Sequence, residues 1–380
     1  MTKFCDYELR IIKPSFSSYL TDSIINLEHL RKRRLEGTTH PGIFFQLKNV
    51  FHLLESIGSA RIEGNNTTIA EYIETKIDPS IRDDEDIQEI ANMEKAMTFI
   101  EEILDDDVAI DRAFVFELHK LTVNNLSREG DQTPGQFRKG NVQISGSNHI
   151  PPDALHVNDY MDELFCFINK REEPKYDLLK TALAHHRFCW IHPFNNGNGR
   201  SVRLLTYAML IKQGFKVNTG RILNPTAVFC SDRDKYYEML SEGDKGTDEG
   251  LLNWCTYVLN GLNIEISKVD KLCDHDYLAN KILLPALVVC RAREYITKLE
   301  FELLKIAIDK IVFQSSDIES VMPGKIPSER SRVLAKLKDD KLIAPIKEGG
   351  RKYVINFSNN YLLRGVIDAL QKEGFISLRE

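Results

Sequence analysis

The most constraining feature of this sequence is a glycine- and asparagine-rich run, IHPFNNGNGR at residues 191–200, directly before a predicted helix. Glycine adopts positive φ angles easily and lets a ligand approach the backbone. Gly197 and Gly199 therefore favour a tight loop whose successive N–H groups can bind an anion. Because a helix is predicted over 201–210, these groups would lie at the positive end of its dipole. The run thus predicts a polyphosphate-binding loop at a helix N-terminus.

The charged side chains of this segment fit the same ligand. Arg200 and Arg203 are three residues apart and share one face of the first helical turn. Each guanidinium can donate two parallel hydrogen bonds to a phosphate. His192 can be neutral near pH 7, which makes it a candidate general base. A lone histidine near a glycine loop is usually structural, so the prediction depends on the whole run.

The complete run resembles the motif of the Fic family, His-Pro-Phe-x-Asp-Gly-Asn-Gly-Arg-x-x-Arg. One position departs from it, since residue 196 is Asn where the family usually has Asp or Glu. The resemblance implies an all-helical core that transfers the AMP part of ATP to a protein hydroxyl. Transfer of another nucleotide or removal of AMP at the same site is the alternative within enzymes.

The resemblance also implies roles for individual residues. His192 would take the proton from a Tyr, Ser or Thr hydroxyl, which attacks the α-phosphorus. Mg²⁺ would bridge the phosphates of ATP, with Asn196 in place of the usual carboxylate. A neutral amide oxygen binds Mg²⁺ more weakly, so a lower activity or a greater dependence on phosphate ligands is expected. The implied nucleotide-binding residues are Asn196, Gly197, Asn198, Gly199, Arg200, Arg203, Tyr236 and Tyr237, with core packing as the alternative for the tyrosines.

An earlier segment, Ser59–Gly64, resembles the inhibitory motif of the same family, Ser/Thr-x-x-x-Glu-Gly/Asn. It ends a helix that is predicted after Pro41 from apolar residues at helical spacing. Ser59 and Glu63 are the implied inhibitory residues. A carboxylate on Glu63 can pair with a phosphate-binding arginine and occupy the γ-phosphate position. A carboxylate at a helix end without a regulatory role is the alternative.

Residues 133–152 predict a short hairpin. Pro-Gly and Gly-Ser pairs mark turns in this segment, and Val142 and Ile144 alternate with polar residues. The hairpin resembles the Fic flap, so Val142, Gln143 and Ile144 are implied to pair with an extended segment of the target. A surface hairpin without a partner is the alternative.

The C-terminal third has a different pattern. An apolar helix is predicted over 284–311, a short helix is capped at 315–318, and a further helix follows Pro327 with Ser328 as its N-cap. Strands at 342–346 and 353–357 then flank a glycine turn. This order predicts a winged helix-turn-helix. This segment is mildly basic, so it could bind either DNA or another protein. A nucleotide-binding transcriptional regulator with vestigial turnover is therefore the alternative to an enzyme.

The expected fold is therefore mainly α: an all-helical Fic core with a short β-hairpin flap, plus a C-terminal winged helix-turn-helix domain. Four parts are expected along the chain. They are an N-terminal helical region with the inhibitory helix (1–110), the catalytic core (111–265), a helical connector (266–299) and the winged helix-turn-helix domain (300–380).

Composition sets the remaining expectations. The 380 residues include 50 basic and 56 acidic side chains, a net charge of −6, so the whole chain is not a polyanion binder. Seven scattered cysteines predict free thiols in a reducing compartment. No signal peptide is visible and no apolar run reaches about 18 residues, so a cytoplasmic protein without a membrane segment is expected. A homodimer is left open.

Overall fold

The structure is a computed structural model that describes residues 4–32, 38–78, 80–105, 107–215, 225–358 and 360–376. Most of these residues are helical, so the mainly α class is confirmed. The chain divides into two compact units that alternate along the sequence. Unit 1 consists of residues 1–34, 52–67 and 83–267, and unit 2 of residues 35–51, 68–82 and 268–380. The four-part division expected from the sequence stays a prediction.

Unit 1 is built around two central helices. Its helices are α1 (Tyr19–Lys32), the second half of α2 (Pro41–Ile62), α4 (Glu85–Ile103), α5 (Arg112–Val123), α6 (Val157–Asn169), α7 (Asp177–Ile191), α8 (Asn198–Lys212), α9 (Thr226–Cys230), α10 (Arg233–Gly243) and most of α11 (Asp248–Asp270). Helices α7 and α8 pack against each other, α6 packs on α7, and α4 and α5 pack on α8. Nearly all residues of α7 and α8 are buried, as expected of helices at the centre of a core. The loop between them is thus held at both ends by rigid elements.

Helices α4 and α5 begin with side-chain caps, whereas α8 does not. The Asp84 carboxylate accepts a hydrogen bond from the Ile87 N–H at 3.1 Å, and the Asp111 carboxylate from the Phe114 N–H at 2.9 Å. These caps satisfy N–H groups that the first turn of a helix leaves without partners. The N-cap of helix α8 is instead Gly197, which has a φ of 73° and no side chain that could accept a hydrogen bond. The first turn of α8 therefore needs an acceptor from outside the helix.

Unit 2 contains the first half of α2 and the C-terminal elements. These are α3 (Ile69–Ile77), α12 (His275–Leu278), a π-helical segment (Ala279–Leu283), α13 (Leu284–Ala292), α14 (Lys298–Lys310), α15 (Pro327–Asp339), β1 (Ile343–Pro345), β2 (Tyr353–Ile355) and α16 (Leu362–Lys372). The two strands are antiparallel, with Ala344 opposite Val354, and form the only sheet of the described residues. The first half of α2 is tied to this sheet, because the Gln46 amide bonds to the Ile355 carbonyl oxygen and the Phe357 N–H, each at 2.8 Å. Assignment of a winged helix-turn-helix stays a prediction.

Three local predictions in unit 2 are wrong. The helix expected over 284–311 is two helices, because Glu294 has a positive φ of 60° and Thr297 begins α14 with a capping box. Residues 315–322 form turns instead of a short helix. Ser328 is not an N-cap, since α15 begins at Pro327, whose fixed φ suits a first helical position.

The strand pair expected around Val142 and Ile144 is not formed. The Ser147 N–H donates to the Ile144 carbonyl oxygen at 3.2 Å, which gives a turn, but no residue of 133–152 belongs to a strand. Side chains hold the segment in place of ladder bonds. The Asn141 carboxamide accepts from the Ala154 N–H at 2.8 Å and donates to the Asp153 carboxylate at 3.0 Å.

Two expectations from composition can be compared with the structure. All seven cysteines are free thiols, as predicted. None of the helices in the described part of the chain is both long and apolar enough to span a bilayer.

Candidate active site

His192 ends α7 and opens the loop to α8. It adopts a left-handed conformation, with φ 51° and ψ 62°, and its N–H donates to the Phe188 carbonyl oxygen at 3.0 Å. This conformation costs a non-glycine residue about 1–2 kcal/mol, so the surroundings must hold it. Burial, aided by the charge of Arg138, lowers the pKa of His192 to about 4. The imidazole is therefore neutral at pH 7 and able to accept a proton, as a general base requires.

His119 packs against this loop. This residue was not identified from the sequence. Its ring stacks on Phe194, with centroids 3.7 Å apart and planes at 3°. Burial lowers the pKa of His119 to about 4, so the ring is neutral. Nδ1 accepts from the Gly135 N–H and Nε2 lies near the Asn196 carbonyl oxygen, each at 3.0 Å, which fixes the proton on Nε2. No local pattern around residue 119 distinguishes it from an ordinary helical histidine.

Gly197 packs closely against His119 and Val123. A Cβ at this position would lie 2.9 Å from Val123 Cγ1, in addition to the unfavourable positive φ. Both constraints demand glycine here.

Two of the three asparagine side chains of the run, Asn196 and Asn198, make hydrogen bonds that hold the loop. Asn198 bonds to both backbone polar groups of Phe194, accepting from its N–H and donating to its carbonyl oxygen, each at 2.9 Å. Asn196 accepts from the Gly197 N–H at 2.7 Å and donates to the Gly130 carbonyl oxygen at 3.2 Å. In this conformation their side chains shape the loop, and the Gly197 N–H is bound by Asn196 and becomes available to a ligand only when that bond opens.

These contacts bear on the expected Mg²⁺ ligand. The Asn196 Oδ1 atom is a neutral oxygen that already accepts a hydrogen bond. Within the described part of the chain, no group of three or more His, Cys, Asp or Glu side chains could hold a metal ion. Mg²⁺ prefers charged oxygen ligands and usually takes them from one or two carboxylates together with substrate phosphates, so the neutral Asn196 oxygen is a weak ligand for it.

Arg203 lies on the buried face of α8 and is bound by the end of α2. Its Nε donates to the Ser59 hydroxyl at 2.7 Å, and its Nη2 donates to the Ser59 carbonyl oxygen at 3.0 Å and to the Glu63 carboxylate at 2.7 Å. Ser59 and Arg203 are buried, while the Glu63 side chain remains 28% exposed. The structure therefore brings together the three residues that the inhibitory motif and the loop motif were expected to join.

Glu63 also lies directly over the start of α8. A Cβ at Gly199 would meet the Glu63 Oε1 atom, so a side chain at this position would force the carboxylate to shift. Burial acts to raise the pKa of Glu63, but the charges of Arg203 and Arg200 outweigh it and the pKa is lowered. The carboxylate is thus ionised at neutral pH. An anion from the chain itself occupies the helix N-terminus at which the sequence predicts a phosphate.

Arg200 is bound differently from Arg203. Its guanidinium forms a 2.8 Å ion pair with Glu89, which is 1% exposed, and donates to the Glu129 carbonyl oxygen at 2.7 Å. Asn65 donates to the other oxygen of Glu89 at 2.8 Å. Burial raises the pKa of Glu89 against the opposing charge of Arg200. Arg200, expected to bind phosphate, is therefore already matched by an acidic partner that the sequence analysis missed.

The tandem tyrosines have different surroundings. Tyr236 is 2% exposed, and its hydroxyl lies 2.9 Å from His185 Nε2, which places it in the core. Tyr237 is 41% exposed, with the Arg233 guanidinium 5.4 Å from its ring centroid. Tyr237 is thus partly exposed to solvent, whereas Tyr236 is buried.

The residues expected to contact a target lie in the segment after Arg138. Val142 and Ile144 are half-buried and Gln143 is exposed, so the predicted alternation is present although the strand pair is not.

Comparisons with known proteins cover this part of the chain. Residues 109–210 match the model of the Fic/DOC family. The protein adenylyltransferase Fic of Drosophila melanogaster is 30% identical over 200 residues, which are 51% of this chain and 37% of that protein. The protein of the same name from Aedes aegypti is 26% identical over 263 residues, 63% of this chain and 49% of that protein. The chain thus matches less than half the length of each of these relatives.

Solved structures resemble the fold over a larger part. A Fic family protein from Desulfovibrio desulfuricans G20 has a TM-score of 0.56 at 18% identity, covering 90% of this chain and 97% of that one. A fragment of Fic-1 from C. elegans has a TM-score of 0.53 at 18% identity, covering 66% of this chain and 71% of that one. At these identities the likeness concerns the fold.

Proposed function

Residues 109–210 form a Fic/DOC family domain, and from this premise we propose that the chain is a protein adenylyltransferase that Glu63 inhibits. It transfers the AMP part of ATP to a hydroxyl group of a target protein or of the chain itself. The observation that carries the proposal is the Glu63 carboxylate, bound by Arg203 over the start of α8 beside the neutral His192. The name of the curated relatives, protein adenylyltransferase Fic, supports the same reaction.

His192 is the general base of this reaction. It takes the proton from the attacking hydroxyl, the oxygen forms a bond to the α-phosphorus, and pyrophosphate leaves with the electrons of the broken bond. A pKa of about 4 keeps the imidazole unprotonated over the neutral range. The low pKa also limits its strength as a base, so placement of the hydroxyl must contribute much of the rate.

The phosphates bind at the N-terminus of α8. The backbone N–H groups of Gly197, Asn198 and Gly199 bind the α- and β-phosphates, and Arg203 binds the γ-phosphate. Arg200 contributes its charge to this end of the helix while it stays paired with Glu89. Since Glu63 and the γ-phosphate need the same Arg203 donors, only one of them can be bound.

Mg²⁺ would add positive charge at the phosphates. We propose that ATP itself supplies most of its ligands and that Asn196 offers one neutral oxygen after giving up its bond to Gly197. Tyr237 is proposed to border the adenine ring, because it is the partly exposed one of the two tyrosines and an aromatic ring can stack on a purine.

The partners follow from the same proposal. The acceptor is a Tyr, Ser or Thr hydroxyl, presented along Val142, Gln143 and Ile144. DNA binding by the C-terminal part is proposed from its composition, nine basic and six acidic residues over 313–357. Seven free thiols support a reducing compartment such as the cytoplasm.

Mass spectrometry tests the proposed reaction. The wild-type, Glu63→Gly and Glu63→Gly/His192→Ala proteins are incubated with ATP and a cell lysate, and in parallel with GTP, CTP or UTP. A mass gain equal to AMP, confined to ATP and lost in the double variant, is expected. Addition from another nucleotide would replace adenylyl transfer with that transfer. No covalent product with any nucleotide from a folded Glu63→Gly protein would overturn the enzyme assignment.

A further inference from the structure

Arg138 is a buried cation beside the loop, with no role in the reaction described so far. It is 2% exposed and lies two residues before the flap segment, here residues 140–152. Its side chain donates only to backbone carbonyl oxygens: Nε to His192 at 2.9 Å, Nη1 to Gly140 at 3.0 Å, and Nη2 to Pro152 at 2.6 Å and to Ile191 at 3.3 Å. A single guanidinium therefore joins both ends of the flap segment to the last turn of α7.

The backbone of Arg138 adds a further bond to the same place. Its N–H donates to the Pro193 carbonyl oxygen at 2.8 Å, so carbonyl oxygens of three consecutive residues, from Ile191 to Pro193, are bound by one residue. These residues include the strained left-handed turn at His192. A buried charge is unfavourable unless fixed dipoles replace its water, and four carbonyl groups do so here. The guanidinium fork suits this arrangement, because its planar donors point in several directions at fixed angles.

We propose that Arg138 is a positioning residue for transfer, which holds His192 in its left-handed conformation and fixes the flap segment relative to it. This inference rests on the proposed function, since the flap segment is taken to present the target hydroxyl. The distance from that hydroxyl to the imidazole then depends on one side chain bound to both parts. Misplacement of reacting groups by about 1 Å can lower a rate about 100-fold.

The charge of Arg138 gives the inference a second consequence. The charged and titratable groups that act on His192 are Arg138, Glu63 and His149. Burial lowers the pKa of His192 most, the positive charge of Arg138 lowers it further, and the negative charge of Glu63 raises it. Loss of the Arg138 charge should therefore move the pKa of His192 upward from about 4. A residue that only stabilised the fold would leave this pKa unchanged.

Two substitutions at Arg138 separate the hydrogen bonds of its guanidinium from its positive charge. Arg138→Lys keeps the charge but cannot bond to four carbonyl groups, and Arg138→Met removes both. The matched control is Arg112→Met, which makes the same change at a half-exposed arginine that pairs with Asp162 at 2.6 Å. All three are made in the Glu63→Gly background. Transfer is measured with ATP labelled at the α-phosphate, and His192 is titrated by NMR of the imidazole in the protein without nucleotide.

The expected results differ between the variants. Both Arg138 variants should transfer AMP about 100-fold more slowly, with a KM for ATP within about twofold of the parent, because Arg138 does not face the phosphates. Arg138→Met should also raise the pKa of His192 and move the acid limb of the pH–rate profile to higher pH. Arg138→Lys should keep both near those of the parent. Arg112→Met should change neither rate nor pKa.

The inference fails if a folded Arg138→Lys protein transfers at the rate of the parent, or if Arg138→Met folds and leaves the His192 pKa unchanged. Should Arg138→Met not fold, the rate of Arg138→Lys alone decides whether the fork matters. Failure of the proposed function has a different signature. In that case the Glu63→Gly parent shows no transfer at all, and the NMR titration still decides whether Arg138 acts on His192.

Discussion

Replacement of Glu63 by glycine should activate the enzyme by a factor that can be worked out from its contacts. The carboxylate makes one charge-assisted hydrogen bond to Arg203 at 2.7 Å. A hydrogen bond to a charged group contributes about 1.5–3 kcal/mol, and the 28% exposure of Glu63 favours the lower end because water screens the pair. Each ~1.4 kcal/mol is a factor of ten in an equilibrium. ATP that no longer displaces Glu63 should bind about 10- to 30-fold more tightly, and kcat/KM for transfer should rise by that factor.

The fold should tolerate this change. Arg203 keeps both bonds to Ser59 when Glu63 is removed, and the partly exposed site admits water to the free donor. The free energy of unfolding without ATP should fall by about 1–2 kcal/mol, the lower part of the range for a lost partner of a charged group. Denaturant unfolding measures this loss, and saturating ATP should reverse it.

The assay follows self-modification over a range of ATP concentrations, labelled at the α-phosphate. Glu63→Gln is the matched control: it retains the shape of the side chain and loses the charge, so it should be activated as well. Glu63→Asp keeps the charge on a shorter arm and should be activated less. Glu63→Gly/His192→Ala should be silent. A folded Glu63→Gly protein that is no more active than wild type would refute the inhibitory role of Ser59–Gly64.

The pH dependence of the Glu63–Arg203 contact follows from the lowered pKa of Glu63. The folded-state pKa of Glu63 lies below the ordinary value of 4.5, so the Arg203 contact is complete above pH 4.5 and is lost as the pH falls through the lowered pKa. The ratio of Glu63→Gly to wild-type activity should therefore be constant from about pH 5 to pH 8. A ratio that falls steadily across this window would contradict an ionic contact.

Three further outcomes are expected. His192→Ala in the Glu63→Gly background should abolish transfer and leave ATP affinity by calorimetry within about twofold, and labelling at the parent rate would exclude His192 as the base. Asn196→Asp in the same background should increase transfer and its dependence on Mg²⁺, because a carboxylate binds the ion more strongly; equal rates over a Mg²⁺ titration would contradict this. Burial raises the pKa of Glu55 to about 8, so its stabilising contribution is complete below 4.5 and is lost as the pH rises to about 8. The free energy of unfolding of Glu55→Gln, relative to that of wild type, should therefore increase from pH 5 to pH 8. If the difference between the two proteins is the same at every pH in this range, Glu55 is ionised throughout.

The sequence predicted the parts of the site that lie in one continuous run. Residues 191–200 carry their own turn residues, and the following helix fixes their direction, so local reasoning was sufficient. The partners of that run come from distant segments: His119 and Arg138 precede it by more than 50 residues, and Glu89 by more than 100. Their local sequences are those of ordinary helical or loop residues, and only the packed core brings them to the loop.

Two features of the fold show the same limit. Apolar spacing predicted the helix after Pro41, yet it gave no sign that the two halves of α2 belong to different units. The first half is paired by Gln46 to residues some 300 positions away, which a local pattern cannot reveal. The alternation at Val142 and Ile144 was visible, but the strand pair was not formed, because the side chains of Arg138 and Asn141 bind the segment at its ends.

Because Glu63 is part of the chain, the proposed function makes it a tethered competitor for the anion site. Its effective concentration at Arg203 is set by the geometry of α2 and does not change when the protein is diluted. The affinity of wild-type protein for ATP is then the intrinsic affinity multiplied by the fraction of molecules in which the carboxylate has moved away. The cellular ATP level and the stability of one helix end, rather than the amount of protein, would thus determine how much of the enzyme is in use.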